Sequence, residues 1–231
     1  TVRMDAELLR FLSDPKSYGL DSGGSDVTAI QHIETHISHV FLTSKHAFKI
    51  KKPLQLDFLD YTTLAKRKYF CQRELELNKR YAEELYVDVV AIMRDGHKFN
   101  FNGKGDAVEY AVKMQQFGAN SLFSELLAQG KLQRKDLHAV VDDIARFHTI
   151  AEQRPEQFSY EFLYQLCTDN FAICRALGVD VLQVAQLDQA QELTVGALCE
   201  HRDLITARRA THVRLLHGDL HLRNICMFKG K

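Results

Sequence analysis

The chain has no apolar run approaching the roughly 20 residues that a membrane-spanning helix needs, and its opening TVRMDAELLR has no apolar core of a secretory signal. A cytoplasmic protein with no membrane partner is the expectation. Charge of one sign is also missing: 30 Lys and Arg balance 30 Asp and Glu, so no global field recruits nucleic acid. The five cysteines, Cys71, Cys167, Cys174, Cys199 and Cys226, form no CxxC pair and are odd in number. That argues against a disulfide framework or a zinc ribbon and for reduced thiols. GxxxxGK[ST] is absent. HExxH is absent too: His217 and His221 have the HxxxH spacing, but no Glu follows the first His and Gly218 disfavours a helix, against a zinc hydrolase. No internal repeat or low-complexity linker interrupts the chain.

What is present is 231 residues, 45% hydrophobic and 26% charged, enough for one large domain or two small lobes. Residues 1–26 read as an accessory segment, a short amphipathic helix AELLRFLSD ended by Pro15 and followed by the loop YGLDSGGSD. From Val27 the pattern becomes extended: VTAIQHIE, HVFLT, a polar turn at Ser44 to His46, then AFKIKK. Thr62 or Thr63 then caps a long charged helix through AKRKYFCQRELELNKRYAEEL, whose Leu64, Cys71 and Leu75 mark the face expected to pack on a sheet. VDVVAIM, KFNFN and AVEYAVKM follow as strands, with turns at Asp95-Gly96 and Asn102-Gly103. Beyond Gln116 the pattern is helical for about ninety residues. It includes His148, expected as a buried helical histidine, and ends at the apolar piece VRLLH. The plan is α+β: a small antiparallel sheet with one helix over residues 27–116, then a helical lobe over 117–231, with a ligand cleft expected between them.

The strongest local signal is HGDLHLRN, His217 to Asn224. Its Asp219 and Asn224 have the spacing of a kinase catalytic loop, where the Asp receives the proton of an attacking hydroxyl and the Asn holds magnesium on the nucleotide phosphates. Phosphoryl transfer is mainly positioning and charge neutralisation, so an acceptor-orienting carboxylate and a metal-holding oxygen belong on one rigid loop. Upstream, Ala47 stands two residues before Lys49 on the third strand, leaving room for an adenine ring while Lys49 reaches the phosphates. Lys51 lies on the same strand face as Lys49. The helix offers Glu74 as the anchor for Lys49; Glu76 points roughly 200° around the helix. Backbone groups of Met114, Gln115 and Gln116 are expected to meet the adenine edge as a hinge.

At HGDLHLRN the chain resembles the aminoglycoside phosphotransferase superfamily, which shares the protein-kinase-like two-lobe fold; Gly218 in place of the protein-kinase Arg favours its small-molecule branch. IETHISHVFLTSKHAFKIKKP, RELELNKRYAEELYVDVV, EYAVKM and HGDLHLRNIC together look like an uncharacterised bacterial group that fuses such a domain to a C-terminal P-loop ATP-binding domain. The resemblance implies ATP and Mg2+ as cofactors and transfer of the γ-phosphoryl group to a hydroxyl of an unidentified small molecule. Asp219 would be the base, Asn224 the metal ligand, and Lys49 with Glu74 the phosphate clamp. The sequence departs from the family pattern in two places. No glycine-rich loop precedes Lys49, so Thr35, Ser38 and nearby N–H groups would cover the phosphates. The chain also stops seven residues after Asn224, before an acidic motif equivalent to DFG, as a truncated member of the family would. The rival expectation is a nucleotide-binding pseudokinase module that regulates a fused P-loop ATPase domain.

Overall fold

The computed structural model describes residues 4–20, 29–56, 59–178 and 184–230. Asp5 opens helix α1 (Ala6–Ser13), its carboxylate accepting from the N–H groups of Glu7 and Leu8. Pro15 then turns the chain into a single 3-10 turn. The next segments form strands β1 (Gln31–Glu34), exposed along its length, and the largely buried β2 (Ser38–Leu42) and β3 (His46–Lys51). The start of the expected first strand, Val27 and Thr28, and the boundary set at residue 26 lie outside the described residues.

A two-stranded ribbon, β4 (Gln55–Leu56) and β5 (Leu59–Asp60), leads to helix α2 (Leu64–Lys79). Thr63 caps α2 by accepting from the Lys66 N–H. Strands β6 (Tyr86–Asp95), β7 (Lys98–Phe101) and β8 (Asp106–Gln115) complete an antiparallel six-stranded sheet of order β1-β2-β3-β8-β6-β7. At the end of the β7–β8 connection, Gly105 has φ +112°, and a Cβ there would lie 2.2 Å from the Arg94 carbonyl oxygen.

One sheet face presents Phe41, Phe48, Ile50, Val90 and Ile92 to a core that also takes in Leu8 and Leu12 of α1. The N-terminal helix, expected as an accessory segment, thus seals one side of the sheet. Its Arg10 and Glu7 side points outward while the Leu8/Leu12 stripe supplies apolar area that the sheet cannot cover alone.

Helix α2 lies on the other face, against β8 and β6. It ends at Lys79, short of the expected Leu85, because Arg80 to Leu85 turn into β6 through carbonyls of Asn78 and Ala82. Of the expected stripe Leu64, Cys71 and Leu75, Cys71 is buried, and the helix's other buried residue is Arg67, with Glu74 bonded to the β3 lysines. Apolar periodicity misses Arg67 and Glu74 because their burial is carried by ion pairs. Arg67 Nε donates to both Glu109 oxygens at 2.9 Å, and its Nη1 to the Tyr61 and Thr62 carbonyls.

The chain divides into two compact units, Thr1–Leu132 with Asp219–Lys231, and Gln133–Gly218. The boundary expected from the sequence lies at 116/117. Helix α3 (Phe123–Ala128) stays with the sheet because its entry is tied to the C-terminal segment: Leu122 bridges Cys226, and the Phe123 N–H donates to the Ile225 carbonyl at 2.9 Å. The second unit holds α4 (Arg134–Ile150), α5 (Tyr160–Ala176), α6 (Val184–Glu200) and α7 (Arg202–His212). Its α5, α6 and α7 pack on one another. His148, expected to be buried, is exposed on α4. No helix among the described residues is long and apolar enough to cross a membrane.

Candidate functional site

On β3 the strand alternation sends Phe48 and Ile50 to the core, so Lys49 and Lys51 face α2. Glu74 sits one turn past Cys71 on the stripe that α2 lays against the sheet. Its two oxygens hold different lysines: Lys49 Nζ donates to Oε1 at 2.8 Å and Lys51 Nζ to Oε2 at 2.6 Å. Only 12% of the Glu74 side chain is exposed, against 31% for Lys49 and 4% for Lys51.

Burial pushes the Glu74 carboxyl up, but Lys49 and Lys51 more than offset it and hold the group below its ordinary value. For Lys51 burial acts downward and Glu74 outweighs it, so the ammonium is held above its usual range. The Lys51 ammonium also lies 4.9 Å from the Tyr61 ring centre. Beneath the triad, burial pushes the Cys71 thiol up to about 12, which leaves it without thiolate character at neutral pH.

Asp219 and Asn224 are in the same compact unit as this triad. Gly218 reaches the loop at φ +78°, a left-handed conformation that glycine takes without strain. His221 caps the short turn Leu222–Asn224 by accepting from the Arg223 N–H. The Asn224 amide nitrogen then donates back to the Asp219 carbonyl at 2.9 Å and to its carboxylate at 3.2 Å. The loop is therefore closed on itself, with both side chains exposed.

The residues after the loop anchor it. Phe123 donates to Ile225, Met227 donates to Ser121, and Lys229 pairs with Glu84 at 2.8 Å. Burial first, then the neighbouring Glu74 and Cys226, push the phenol of Tyr86, at the start of β6, upward.

The other sequence-derived candidates are committed elsewhere. Thr35 donates from its N–H and its hydroxyl to the Ser38 carbonyl, and its oxygen accepts from the Ser38 N–H. These bonds close the β1–β2 turn, and Ser38 is fully buried with its Oγ unpartnered. Lys52 fastens the same turn through Glu34 and the Thr35 carbonyl, each at 2.6 Å. At the expected hinge, Met114 pairs with Ala47 and Tyr86, while the Gln115 and Gln116 N–H groups donate to the carbonyls of Leu85 and Lys45. The strand register runs on to Gln115, so these two backbone donors belong to the sheet. What is left is the Gln116 side-chain oxygen, buried and without a hydrogen-bond partner. Such an atom costs on the order of 1–3 kcal/mol.

The sequence reading did not find the sharing of Glu74 or the position of Tyr86. The KIK spacing carries the first, since two lysines at i and i+2 on a strand face one helix residue together. Nothing local carries the second.

No protein-family model matches the chain, and no solved structure does so at a significant level. Uncharacterised proteins of Mycobacterium bovis and of two strains of Mycobacterium tuberculosis are each 31% identical to it over 120 residues. That stretch is 52% of this chain and 22% of each relative, so the chain matches only a minor part of these longer proteins.

Proposed function

We propose that the chain carries the nucleotide and catalytic elements of an ATP- and magnesium-dependent phosphotransferase acting on a hydroxyl of a small molecule, built on a kinase-like two-lobe plan. The observation that carries the reading is the Lys49–Glu74 pair, strand lysine to helix carboxylate at 2.8 Å, in one compact unit with the Asp219–Asn224 loop. Kinase-type phosphoryl transfer requires that combination: a lysine on the third strand anchored by a helix glutamate, and an Asp and an Asn five residues apart on a loop.

The residues present suit the implied groups. Ala47 is small and buried in the sheet, and the unpartnered Gln116 oxygen offers an acceptor to an exocyclic amine such as that of adenine. Asn224 turns the donor end of its amide to Asp219, so the acceptor end is the one a cation would take. Among the described residues no cluster of three or more His, Cys, Asp or Glu stands ready for a metal. Magnesium would therefore rest on Asn224 and the nucleotide's own oxygens, where it supplies charge neutralisation. Lys49 would hold phosphate oxygens and Glu74 would orient it. Asp219 would align the acceptor hydroxyl and receive its proton as the acceptor oxygen bonds to the γ-phosphorus and the bond to the leaving nucleotide breaks.

The test is Asp219→Asn, read as ADP release over a panel of hydroxyl acceptors alongside nucleotide affinity. Turnover should fall on the order of 10²–10⁴-fold with affinity unchanged. Unchanged turnover refutes the assignment of the base.

One observation favours the second reading, a nucleotide-binding pseudokinase module that regulates a fused ATPase domain. The donors of Thr35, Gln115 and Gln116 are already committed within the sheet. That reading predicts nucleotide-dependent stabilisation with no ADP release for any acceptor.

A further inference from the structure

The Glu74 cluster differs from a simple lysine–glutamate pair. It has one carboxylate and two ammonium groups, a net charge of +1, in a place where Lys51 is 4% and Glu74 12% exposed. Each carboxylate oxygen has its own lysine. The two lysines are not equivalent: Lys51 is enclosed by Tyr61, Cys71 and Glu74, whereas Lys49 retains 31% exposure.

A buried carboxylate that loses its only partner costs several kcal/mol. A single-lysine pair therefore resists giving its lysine to a ligand. Here the carboxylate stays compensated whichever way Lys49 turns, and the surplus charge is on the lysine that can reach solvent. Oxygen-rich polyanions, phosphates above all, are the ligands such a surplus attracts.

We propose that Lys51 is the resident counter-ion of Glu74 and a positioning residue, and that its presence frees Lys49 to leave the carboxylate for the phosphates of an incoming nucleotide. The inference rests on the reading of Lys49 as the phosphate contact and adds the element that makes Lys49 available.

The experiment is calorimetric titration of the chain with Mg·ATP, with circular dichroism of each variant as the check on folding. Lys49→Met should lower affinity by about tenfold or more. Lys51→Met should lower it by about tenfold, since Lys49 becomes the sole partner of Glu74 and is held there, while Lys51→Arg keeps a cation and stays within about threefold. The deciding variant is Lys51→Met combined with Glu74→Gln. With no carboxylate competing for Lys49, it should bind measurably tighter than Lys51→Met alone, though weaker than the unmodified chain because Glu74 no longer orients Lys49. A purely structural Lys51 predicts the opposite, a double variant no tighter than the single one.

If Lys51→Met binds normally, or the double variant fails to recover, the inference is overturned while the loss in Lys49→Met keeps the phosphate reading. If Lys49→Met binds normally, or the unmodified chain does not bind Mg·ATP, both fall. Should Lys51→Met not fold, Lys51→Gln replaces it in both the single and the double variant, and the same two outcomes decide.

Discussion

Helix α2 holds two buried charge clusters on one face, and they are built differently. Arg67 and Glu109 form a closed pair. Both side chains are below 10% exposure, the Arg Nε meets both carboxylate oxygens, and Nη1 is bonded to the Tyr61 and Thr62 carbonyls. Burial pushes the Glu109 carboxyl up and Arg67 only partly offsets it. Two turns along, Glu74 holds two lysines, and one of them keeps contact with solvent. A neutral, sealed pair has no charge left to offer a ligand and serves to fix α2 on β8. An over-compensated, half-open cluster has one cation in excess, and that is what an anion-binding site needs.

The largest effect expected from this contrast is on stability at the closed pair. Arg67→Met leaves Glu109 buried and uncompensated, and should cost about 3–5 kcal/mol in urea unfolding while the folded fraction binds nucleotide normally. Lys49→Met should behave in the opposite way: affinity for Mg·ATP falls about tenfold or more, but stability by no more than about 1 kcal/mol, because Glu74 keeps Lys51. Finding the two losses exchanged would break the comparison. Thr63→Ala, which removes the α2 cap ahead of both clusters, should cost about 1 kcal/mol without a change in affinity beyond twofold or so.

A smaller, pH-dependent effect is expected at the sheet edge. His32 and His39 are hydrogen-bonded at 3.0 Å, and burial, then the charges of His32 and Lys52, hold His39 below its ordinary value of 6.5, with Glu34 opposing. His46 is lowered as well, first by burial and then by Lys113 and Lys45. A histidine whose folded value is depressed contributes stability above its unfolded value and loses it as pH falls towards the folded one. Stability should therefore decline as pH drops below 6.5. His39→Asn should flatten that slope, and an unchanged slope would place the effect elsewhere.

Much of the sheet is legible in the sequence, since apolar alternation at AFKIKK and EYAVKM and the turn residues at Asp95-Gly96 report local physics. The Lys49–Glu74 and Asp219–Asn224 pairings are legible from spacing. The inner face of α2 is not, because Arg67 and Glu74 look like a solvated stripe until their partners on β8 and β3 are known. The core role of α1 is hidden for a related reason: an amphipathic helix announces an apolar face but not the surface that it covers. The hinge donors at Gln115 and Gln116 were taken up by Leu85 and Lys45, residues far away in sequence or across a turn, which no local pattern records.

The central claim is that Lys49 is the cation that meets the phosphates of a bound nucleotide. An acyl-phosphate derivative of ATP tests it most directly, because the amine nearest the phosphates attacks the acyl carbon, forms an amide and releases ATP. With magnesium present, peptide mass spectrometry should find the label on Lys49, suppressed by excess ATP, with Lys51 and Lys52 unmodified. ATP-suppressed labelling confined to a lysine outside β3, or none anywhere, would contradict the account.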